Sequence, residues 1–438
     1  MSRVFGIELR RSVALGSALI LMAAGTLLLF FPDPSAFTTG WMQLAMTQRL
    51  YLAVLWPLAL AAGAWQARRE HRSNVAELFA STPRPPAHRT VPTLGATAVA
   101  VIGGYVAMGV AGGLWIAGTA RYLPASVFAV LAVGLLALVA AVWLGLAVGR
   151  LLPSPATAPA LGVAGLGLLL LIPGATRPYG WLALVFSPIY EMNMPDAYTT
   201  VPGRASVAQA IWLAALAVTA VLLFAAGDWR VRVAALLPVV LGGALAIAVM
   251  PRDSRYVTDA VDPVARELVC AHDDPRVCVS RVHSGLLTEV TAPAREALAV
   301  LAGLPSAPTQ VHEDTTTYLP AVYPPWREDV VLLRVDAGPD GHLTDRGGVL
   351  AEAVSGAFAS RPDCEHVAGP EVKLAAAYWL IGREPVAPGG GYDPATVTSA
   401  VALWQGLRHL PGAEAKARVV ALRQAALSCT VEDGQLSR

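Results

Sequence analysis

Apolar and polar positions divide the chain into two parts. Up to about Met250 the sequence is a series of apolar stretches, and after Pro251 it becomes mixed, charged and interrupted by proline. Each stretch is close to the ~20 residues that a helix needs to cross a bilayer. We predict seven spans, at 12–31, 50–66, 91–117, 125–149, 156–174, 207–227 and 233–250. The pattern predicts a polytopic α-helical membrane domain at 1–250, followed by a soluble domain at 251–438.

The soluble part alternates longer helical patterns with short strands. Helical spacing of apolar residues predicts helices at 262–270, 281–302, 345–360, 370–381, 393–410 and 413–428, and β-branched runs predict strands at 309–313 and 330–335. Asp262-Pro263 and Asp393-Pro394 are good helix starts, because aspartate caps the first turn and proline fits within it. We therefore expect a mostly helical α+β domain.

The composition agrees with membrane insertion. The chain is 55% hydrophobic and 14% charged, whereas about a quarter of the residues of an ordinary soluble domain are charged. The 32 basic residues nearly cancel the 31 acidic ones, so no global field attracts nucleic acid. The bilayer is the expected partner, and nucleic acid is not.

Arginine positions predict the orientation. Cytoplasmic loops of membrane proteins carry an excess of basic residues. If the N-terminus is cytoplasmic, the inner segments hold eleven arginines and the outer loops, which include 32–49, hold four. The inner set is Arg3, Arg10, Arg11, Arg68, Arg69, Arg72, Arg84, Arg89, Arg150, Arg230 and Arg232, and the outer set is Arg49, Arg121, Arg177 and Arg204. An odd number of spans then puts 251–438 outside the cytoplasm of a plasma-membrane protein.

The cysteines give an independent indication. All four, Cys270, Cys278, Cys364 and Cys429, fall in the soluble part, as an oxidising compartment permits. Three connectivities are possible. We favour Cys270 with Cys278 and Cys364 with Cys429, because the short CAHDDPRVC loop can close on itself. The alternative is four reduced, buried thiols in a cytoplasmic domain, which would require a miscounted span.

The membrane part lacks the residues of an ion-coupled transporter. None of the seven predicted spans contains Asp, Glu, Lys or Arg, and ion-coupled transport needs such groups at membrane depth. A phosphate-binding loop needs Gly-Lys followed by Ser or Thr, and neither Lys373 nor Lys416 has that context. The chain is therefore expected to bind no ATP itself. Small-residue stretches such as VIGGYVAMGVAGG at 101–113 predict close helix packing, within one subunit or at a dimer seam.

The cytoplasmic loop 67–90, ARREHRSNVAELFASTPRPPAHRT, contains a short predicted helix. Asn74 is a fair cap, and Glu77 follows three residues later. Val75, Leu78 and Phe79 share one face, and the TPRPP run ends the helix. A helix this short needs a surface on which to pack.

This loop resembles the first cytoplasmic loop of type-2 ATP-binding-cassette exporter permeases. GWLALVFSPIYEM at 180–192 is similar to the short outer helices and proline turn before the sixth span of that family. The resemblance covers roughly 1–228, and the seventh span and the large outer domain depart from it. It implies a permease subunit that works as a homodimer or with a second permease, and whose loop is a coupling helix for a separate ATPase.

The resemblance also implies roles for residues of the loop. The partner ATPase would bind ATP and Mg, and this chain would need no cofactor. The residues facing the ATPase would be Glu77, Leu78 and Phe79, with Arg69, Arg72 and Arg84 at the rim. Two alternatives stay open. The loop helix can instead lie on the lipid interface, its arginines serving retention alone, and the whole chain can be a membrane-anchored extracytoplasmic binding or sensor protein without transport activity.

The outer domain is not expected to be an enzyme. A zinc peptidase helix needs two histidines one turn apart with a glutamate beside the first, and VLAEAVSGAFA at 349–359 has no histidine. His312-Glu313 begins such a motif, but Thr316 stands at the second histidine position. No G-x-S-x-G elbow is present, and no metal site is expected. His283 and Glu289 are interpreted as polar-face residues of a helix.

The soluble part also contains an aromatic and proline-rich stretch, TYLPAVYPPWRED at 317–329. It can form an exposed contact surface. We favour a loop packed on its own domain, because aromatic residues between prolines usually pack back.

Overall fold

The computed structural model describes residues 13–72, 87–189, 192, 196–252, 260–386, 392–432 and 434–436. The chain forms two compact units. Unit 1 comprises Met1–Phe37, Trp41–Ile116 and Leu123–Asp262, and unit 2 comprises Thr38–Gly40, Ala117–Tyr122 and Pro263–Arg438. The division therefore falls at 262/263 rather than 250/251, and two short segments from the N-terminal half belong to unit 2.

The helices of unit 1 follow the apolar stretches of the sequence. They are α1 Val13–Phe30, α2 Ser35–Thr38, α3 Trp41–Leu50, α4 Leu52–Arg72, α5 Ala87–Ile116, α6 Ser126–Leu151, α7 Thr157–Ala175, α8 Gly180–Phe186, α9 Gly203–Ala225, α10 Trp229–Ala234 and α11 Leu237–Val249.

Five helical segments of the described residues are long and apolar enough to cross a membrane. They are Thr90–Ile116 of α5, α6, α7, α9 and the α10–α11 pair. A sixth forms if α3 and α4, which meet at a 50° bend, make one span. Residues Leu15–Phe30 of α1 form a shorter apolar helix. The predicted series of long apolar helices is confirmed, whereas their insertion into a membrane and the count of seven stay predictions.

One sequence interpretation in unit 1 is wrong. The predicted outer loop 32–49 contains α2 and α3, and the side chains from Met42 to Arg49 of α3 are buried. This ten-residue helix is too short and too polar to be predicted as a membrane span from its sequence. Its stability therefore comes from tertiary packing, which sequence patterns do not report.

Glycines allow α4 and α6 to pack closely. A Cβ added to Gly63 would lie 2.1 Å from the carbonyl oxygen of Val142, and one added to Gly145 would lie 2.1 Å from that of Leu60. Both contacts are with backbone atoms, so neither neighbour can rotate away. Small residues therefore bring these two helices together, as expected in lipid.

Unit 2 is built on a four-stranded sheet. Its strands are β1 Leu268–Cys270, β2 Arg276–Ser280, β3 Gln310–Glu313 and β6 Val330–Leu333, in the order β1-β2-β3-β6. The β1–β2 pair is antiparallel, and the β2–β3 and β3–β6 pairs are parallel. A separate hairpin consists of β4 Thr317–Tyr318 and β5 Ala321–Val322.

The helices of unit 2 cover this sheet and extend beyond it. A short 3₁₀ turn, Ser284–Leu286, precedes α12 Leu287–Leu301, followed by α13 Val349–Gly356, α14 Pro370–Ile381, α15 Pro394–His409 and α16 Gly412–Ser428. The core includes Val277, Val279, Val311, Val331 and Leu333 from the strands. The mostly helical α+β prediction agrees with these elements.

Two segments of unit 2 come from the N-terminal half of the chain. The Thr38 hydroxyl donates a hydrogen bond to the carbonyl of Gly338 at 2.8 Å. Gly285 packs so closely on the carbonyl oxygen of Thr119 that an added Cβ would lie 1.8 Å from it. Both segments are therefore integral parts of unit 2.

Two sequence interpretations in unit 2 fail. The predicted helix 262–270 ends as strand β1, because Leu268, Val269 and Cys270 pair with β2, a contact that local periodicity cannot reveal. The stretch 317–329 does not pack back on its domain, since Tyr318, Leu319 and Tyr323 are exposed. The hydrogen bonds that fix its conformation leave these side chains on the surface.

Candidate functional site

The predicted coupling helix is only partly within the described residues. Glu77, Leu78, Phe79 and Arg84 lie outside them. Arg69 and Arg72 belong to the last turn of α4, and their side chains are likewise outside the described part. The segment 73–86 joins the end of α4 to the start of α5, so it links two long helices of unit 1.

Both disulfides of the favoured pairing are present. Cys270 and Cys278 are joined at 2.03 Å, and Cys364 and Cys429 at 2.01 Å. The first bridges directly opposed residues of β1 and β2. Disulfides persist in oxidising compartments, so the pairs are in keeping with an extracytoplasmic unit 2.

A buried cation lies inside the otherwise apolar unit 1. Arg49, near the end of α3, has no solvent-exposed surface. Its Nη2 donates hydrogen bonds to the carbonyl oxygen of Pro188 at 2.6 Å and to Oε1 of Gln209 at 3.0 Å. The amide of Gln209 in turn donates to the carbonyl of Leu184 at 2.8 Å. Arg49 therefore ties α3 to α9 and to the segment that follows α8.

Other polar side chains of unit 1 are buried as well, and glycines make room for two of them. Gln48 fills the space at Gly109, where an added Cβ would lie 2.8 Å from its Nε2. The Tyr105 hydroxyl fills the space at Gly134, at 2.5 Å from such a Cβ. Gln43, also buried, donates to the carbonyl of Ala197.

We call Arg49, Gln43, Gln48, Tyr105 and Gln209 the polar cluster. Charged residues within membrane domains are costly to bury and usually have a functional reason to be there. The sequence patterns do not predict this site, because they place residues 41–49 in an outer loop rather than in a buried helix.

Unit 2 contains a second buried polar group. Ser280, His283 and Glu313 are all nearly inaccessible to solvent. Nδ1 of His283 lies 2.6 Å from Oε1 of Glu313, and the Ser280 hydroxyl donates to the same oxygen at 2.9 Å. The amide of Ser280 donates to Oε2 at 2.7 Å. Glu313 of β3 thus holds the end of β2 and the turn after it.

The charge state of this group follows from its contacts. Burial disfavours the imidazolium, but the Glu313 carboxylate beside it more than offsets this, and the pKa of His283 is raised above its ordinary value. A serine hydrolase needs the serine on one imidazole nitrogen and the carboxylate on the other. Here Ser280 and His283 both bond to the carboxylate, so the arrangement is a structural link.

Two side chains therefore differ from their sequence interpretation. His283 is buried and precedes α12, rather than lying on a polar face. Glu289 does lie on α12, but its carboxylate accepts bonds from His342 at 2.5 Å and Arg346 at 3.0 Å. Although partial burial acts in the opposite sense, the hydrogen bonds from His342 and the Leu343 amide lower the pKa of Glu289.

Helix α13 carries a glutamate where a zinc peptidase would have its catalytic one. In the His-Glu-x-x-His pattern of such peptidases, the two histidines would stand at 351 and 355. This chain has Ala351 and Ser355 there, with Glu352 between them. Burial raises the pKa of Glu352 to about 7, and Asp336 and Asp345 add to the shift. The group is a half-buried acid without metal ligands beside it on the helix.

Comparisons with models of known protein families, with curated proteins and with solved structures found no match. The likeness of the 67–90 loop to exporter permeases therefore rests on the quoted residues alone.

Among the described residues, one group has His, Cys, Asp or Glu ligand atoms close enough together to hold a metal ion. It consists of Asp363, Cys364 and Cys429. The two sulfurs are joined in a disulfide, whereas metal binding requires thiolates. Arg361 pairs with the Asp363 carboxylate. These atoms are thus engaged in a structural bridge.

Proposed function

We propose that this chain is the membrane-spanning permease subunit of an ATP-driven exporter. A separate ATPase would bind segment 73–86 and supply the free energy, with ATP and Mg bound on that partner. The chain would work as a homodimer or with a second permease. The apolar helices of unit 1 support membrane insertion, and the sequence of 67–90 supports the ATPase contact.

The observation that carries the proposal is the course of α4. This helix runs without interruption from Leu52 to Arg72, about 31 Å at 1.5 Å per residue. One end leads into segment 73–86, and the other meets α3 at a 50° bend, where Arg49 is bonded to Pro188 and Gln209. Although Pro57 lies inside the helix, α4 is continuous, and a displacement of the segment would be carried along it to the polar cluster.

The composition of unit 2 supports the orientation. It contains 38–40, 117–122 and 263–438, and a compact unit lies on one side of a bilayer. An even number of crossings must then separate successive pieces. Between residues 40 and 117 the chain would cross twice, once through α3–α4 and once through α5. Between residues 122 and 263 it would cross four times, through α6, α7, α9 and α10–α11. A crossing by α1 would bring the total to seven.

With this proposed count, segment 73–86 would lie on the side of the bilayer opposite unit 2. The five arginines of the loop 67–90, which includes this segment, favour the cytoplasm, and the disulfides favour an oxidising compartment for unit 2. The two arguments use different residues and lead to the same orientation. Unit 2 would then be extracytoplasmic, and the loop would be accessible to a cytoplasmic ATPase.

Copurification tests the ATPase contact. The tagged full chain, extracted from its native membrane in mild detergent, is expected to retain an ATP-hydrolysing subunit. Leu78→Asp combined with Phe79→Asp is expected to abolish this retention, because two side chains of the proposed docking face become charged. Thr82→Ala, which changes neither charge nor the apolar face, serves as the control and is expected to retain the ATPase.

The outcomes separate the proposal from its alternative. A membrane-anchored binding or sensor protein would retain no ATPase in any variant. Retention that survives the double substitution would contradict the proposed docking face. Loss of a cytoplasmic ATPase through residues 78 and 79 would also support the orientation, since these residues must then face the cytoplasm.

A further inference from the structure

A hairpin on unit 2 stands out by its exposed apolar side chains. We call residues 315–326, which include β4 and β5, the aromatic hairpin. Its base is fixed to the rest of the unit, because Nε of Arg266 donates to the carbonyl of Thr315 at 3.0 Å. Within the hairpin, the buried Thr317 hydroxyl donates to the carbonyl of Pro320 at 2.6 Å. The base is ordered, and the tip projects from it.

Large apolar side chains are concentrated on this tip. Five of the nine that are exposed among the described residues of unit 2 lie between 318 and 326. They are Tyr318 (64% exposed), Leu319 (49%), Val322 (36%), Tyr323 (64%) and Trp326 (36%), against Val264, Leu268, Val367 and Val386 elsewhere. Exposed apolar side chains concentrated in one short segment suggest a contact with a partner or a membrane.

The charge pattern narrows the kind of partner. No residue from Thr315 to Trp326 is charged, whereas Asp314 and the Arg-Glu-Asp run at 327–329 flank the hairpin on both sides. Tyrosine and tryptophan are enriched at the membrane–water interface, because each has an apolar ring and a polar group. The guanidinium of Arg361 lies 5.7 Å from the centre of the Trp326 ring, so the uncharged tip itself is the stretch from Tyr318 to Tyr323. An uncharged aromatic tip between charged flanks suits that boundary.

The size of the surface argues against a protein partner. A stable protein–protein interface takes about 20–30 residues from each side, and the hairpin offers twelve. A small contact suffices when the partner is held nearby, because tethering raises the effective concentration of the partner, and a weak contact is then occupied. Unit 1, with five to six helices that can cross a membrane, tethers unit 2 to a bilayer.

We propose that the tip of the aromatic hairpin inserts into the headgroup region of the lipid bilayer. Leu319 and Tyr323 would lie at the depth of the glycerol groups, and the charged flanks would stay in water. The contact would hold unit 2 against the membrane surface. It does not depend on the ATPase partnership.

Fluorescence quenching at a single site tests this insertion. The four native cysteines are all in disulfides, so an environment-sensitive nitrobenzoxadiazole label attaches only to an introduced thiol. The full chain with Tyr323→Cys is labelled and placed in dioleoyl phosphatidylcholine nanodiscs. Gln405→Cys, on the exposed face of α15, is the matched control, and Leu319→Cys is a second reporter if Tyr323→Cys folds poorly.

Two quenchers distinguish lipid from water. At 323 we expect strong quenching by headgroup-proximal doxyl-labelled phosphatidylcholine, and iodide quenching severalfold weaker than at 405. Adding Leu319→Asp to the labelled Tyr323→Cys chain is expected to restore iodide quenching. Equal iodide quenching at both sites would overturn the proposal, and so would protection from both quenchers at 323, which would indicate that protein covers the hairpin.

Discussion

Replacing Gly145 with leucine is expected to separate α4 from α6 and to destabilise unit 1 by about 3 kcal/mol or more, the upper range for overpacking a filled interior. An added Cβ would lie 2.1 Å from the carbonyl oxygen of Leu60 and 3.1 Å from the backbone nitrogen of Ala64. Neither atom can move without displacing α4. The midpoint of thermal unfolding, measured by intrinsic fluorescence of the detergent-solubilised chain, reports the effect.

Gly167→Leu on α7 is the matched control. The same residue change is made there, but nothing lies within 4 Å of an added Cβ, and leucine favours helix over glycine by about 1 kcal/mol. The control should unfold at or above the wild-type temperature. An unchanged midpoint for Gly145→Leu would contradict the close packing of α4 on α6.

Replacing Glu352 with glutamine is expected to stabilise unit 2 at pH 8 and to leave it unchanged near pH 4. Burial raises the pKa of the folded carboxyl to about 7, from an ordinary value of 4.5. Between these values the unfolded chain loses its proton and the folded one keeps it, so the free energy of unfolding falls as pH rises. The loss is complete above pH 7 and amounts to about 3 kcal/mol.

Chemical unfolding of the purified full chain at pH 4 and pH 8, followed through unit 2, measures this effect. Glutamine cannot ionise, so the variant should lack the part of the pH dependence that Glu352 contributes. Glu365→Gln, at an exposed position, is expected to leave the wild-type pH dependence intact. Identical pH dependence in Glu352→Gln and wild type would show that this carboxyl is not held protonated by burial.

Local patterns in the sequence predict most helices well. The helix 370–381 begins and ends as α14 does, and 413–428 differs from α16 by one residue. The capping pair Asp393-Pro394 marks the start of α15, where the Asp393 side chain accepts a bond from the amide of Thr396. These elements carry their start and stop signals in adjacent residues, so they can be identified without tertiary contacts.

The failures share a different physical origin. Strand β1 exists because it pairs with β2, and α3 exists because its side chains pack inside unit 1. The burial of Arg49 and the proton affinity of Glu352 both depend on residues far away in sequence, such as Gln209 and Asp336. The polar cluster could not have been predicted from periodicity, because its members come from separate helices.

The coupling of segment 73–86 to the polar cluster is the central claim, and its most direct test is a distance between α3 and α9. Spin labels at Leu50→Cys and Val207→Cys, both exposed positions in unit 1, report it by pulsed electron paramagnetic resonance. With the ATPase bound, the account predicts that the distance distribution shifts between the nucleotide-free and vanadate-trapped states, and that Leu78→Asp with Phe79→Asp abolishes the shift. An unchanged distribution in the trapped complex would contradict the account.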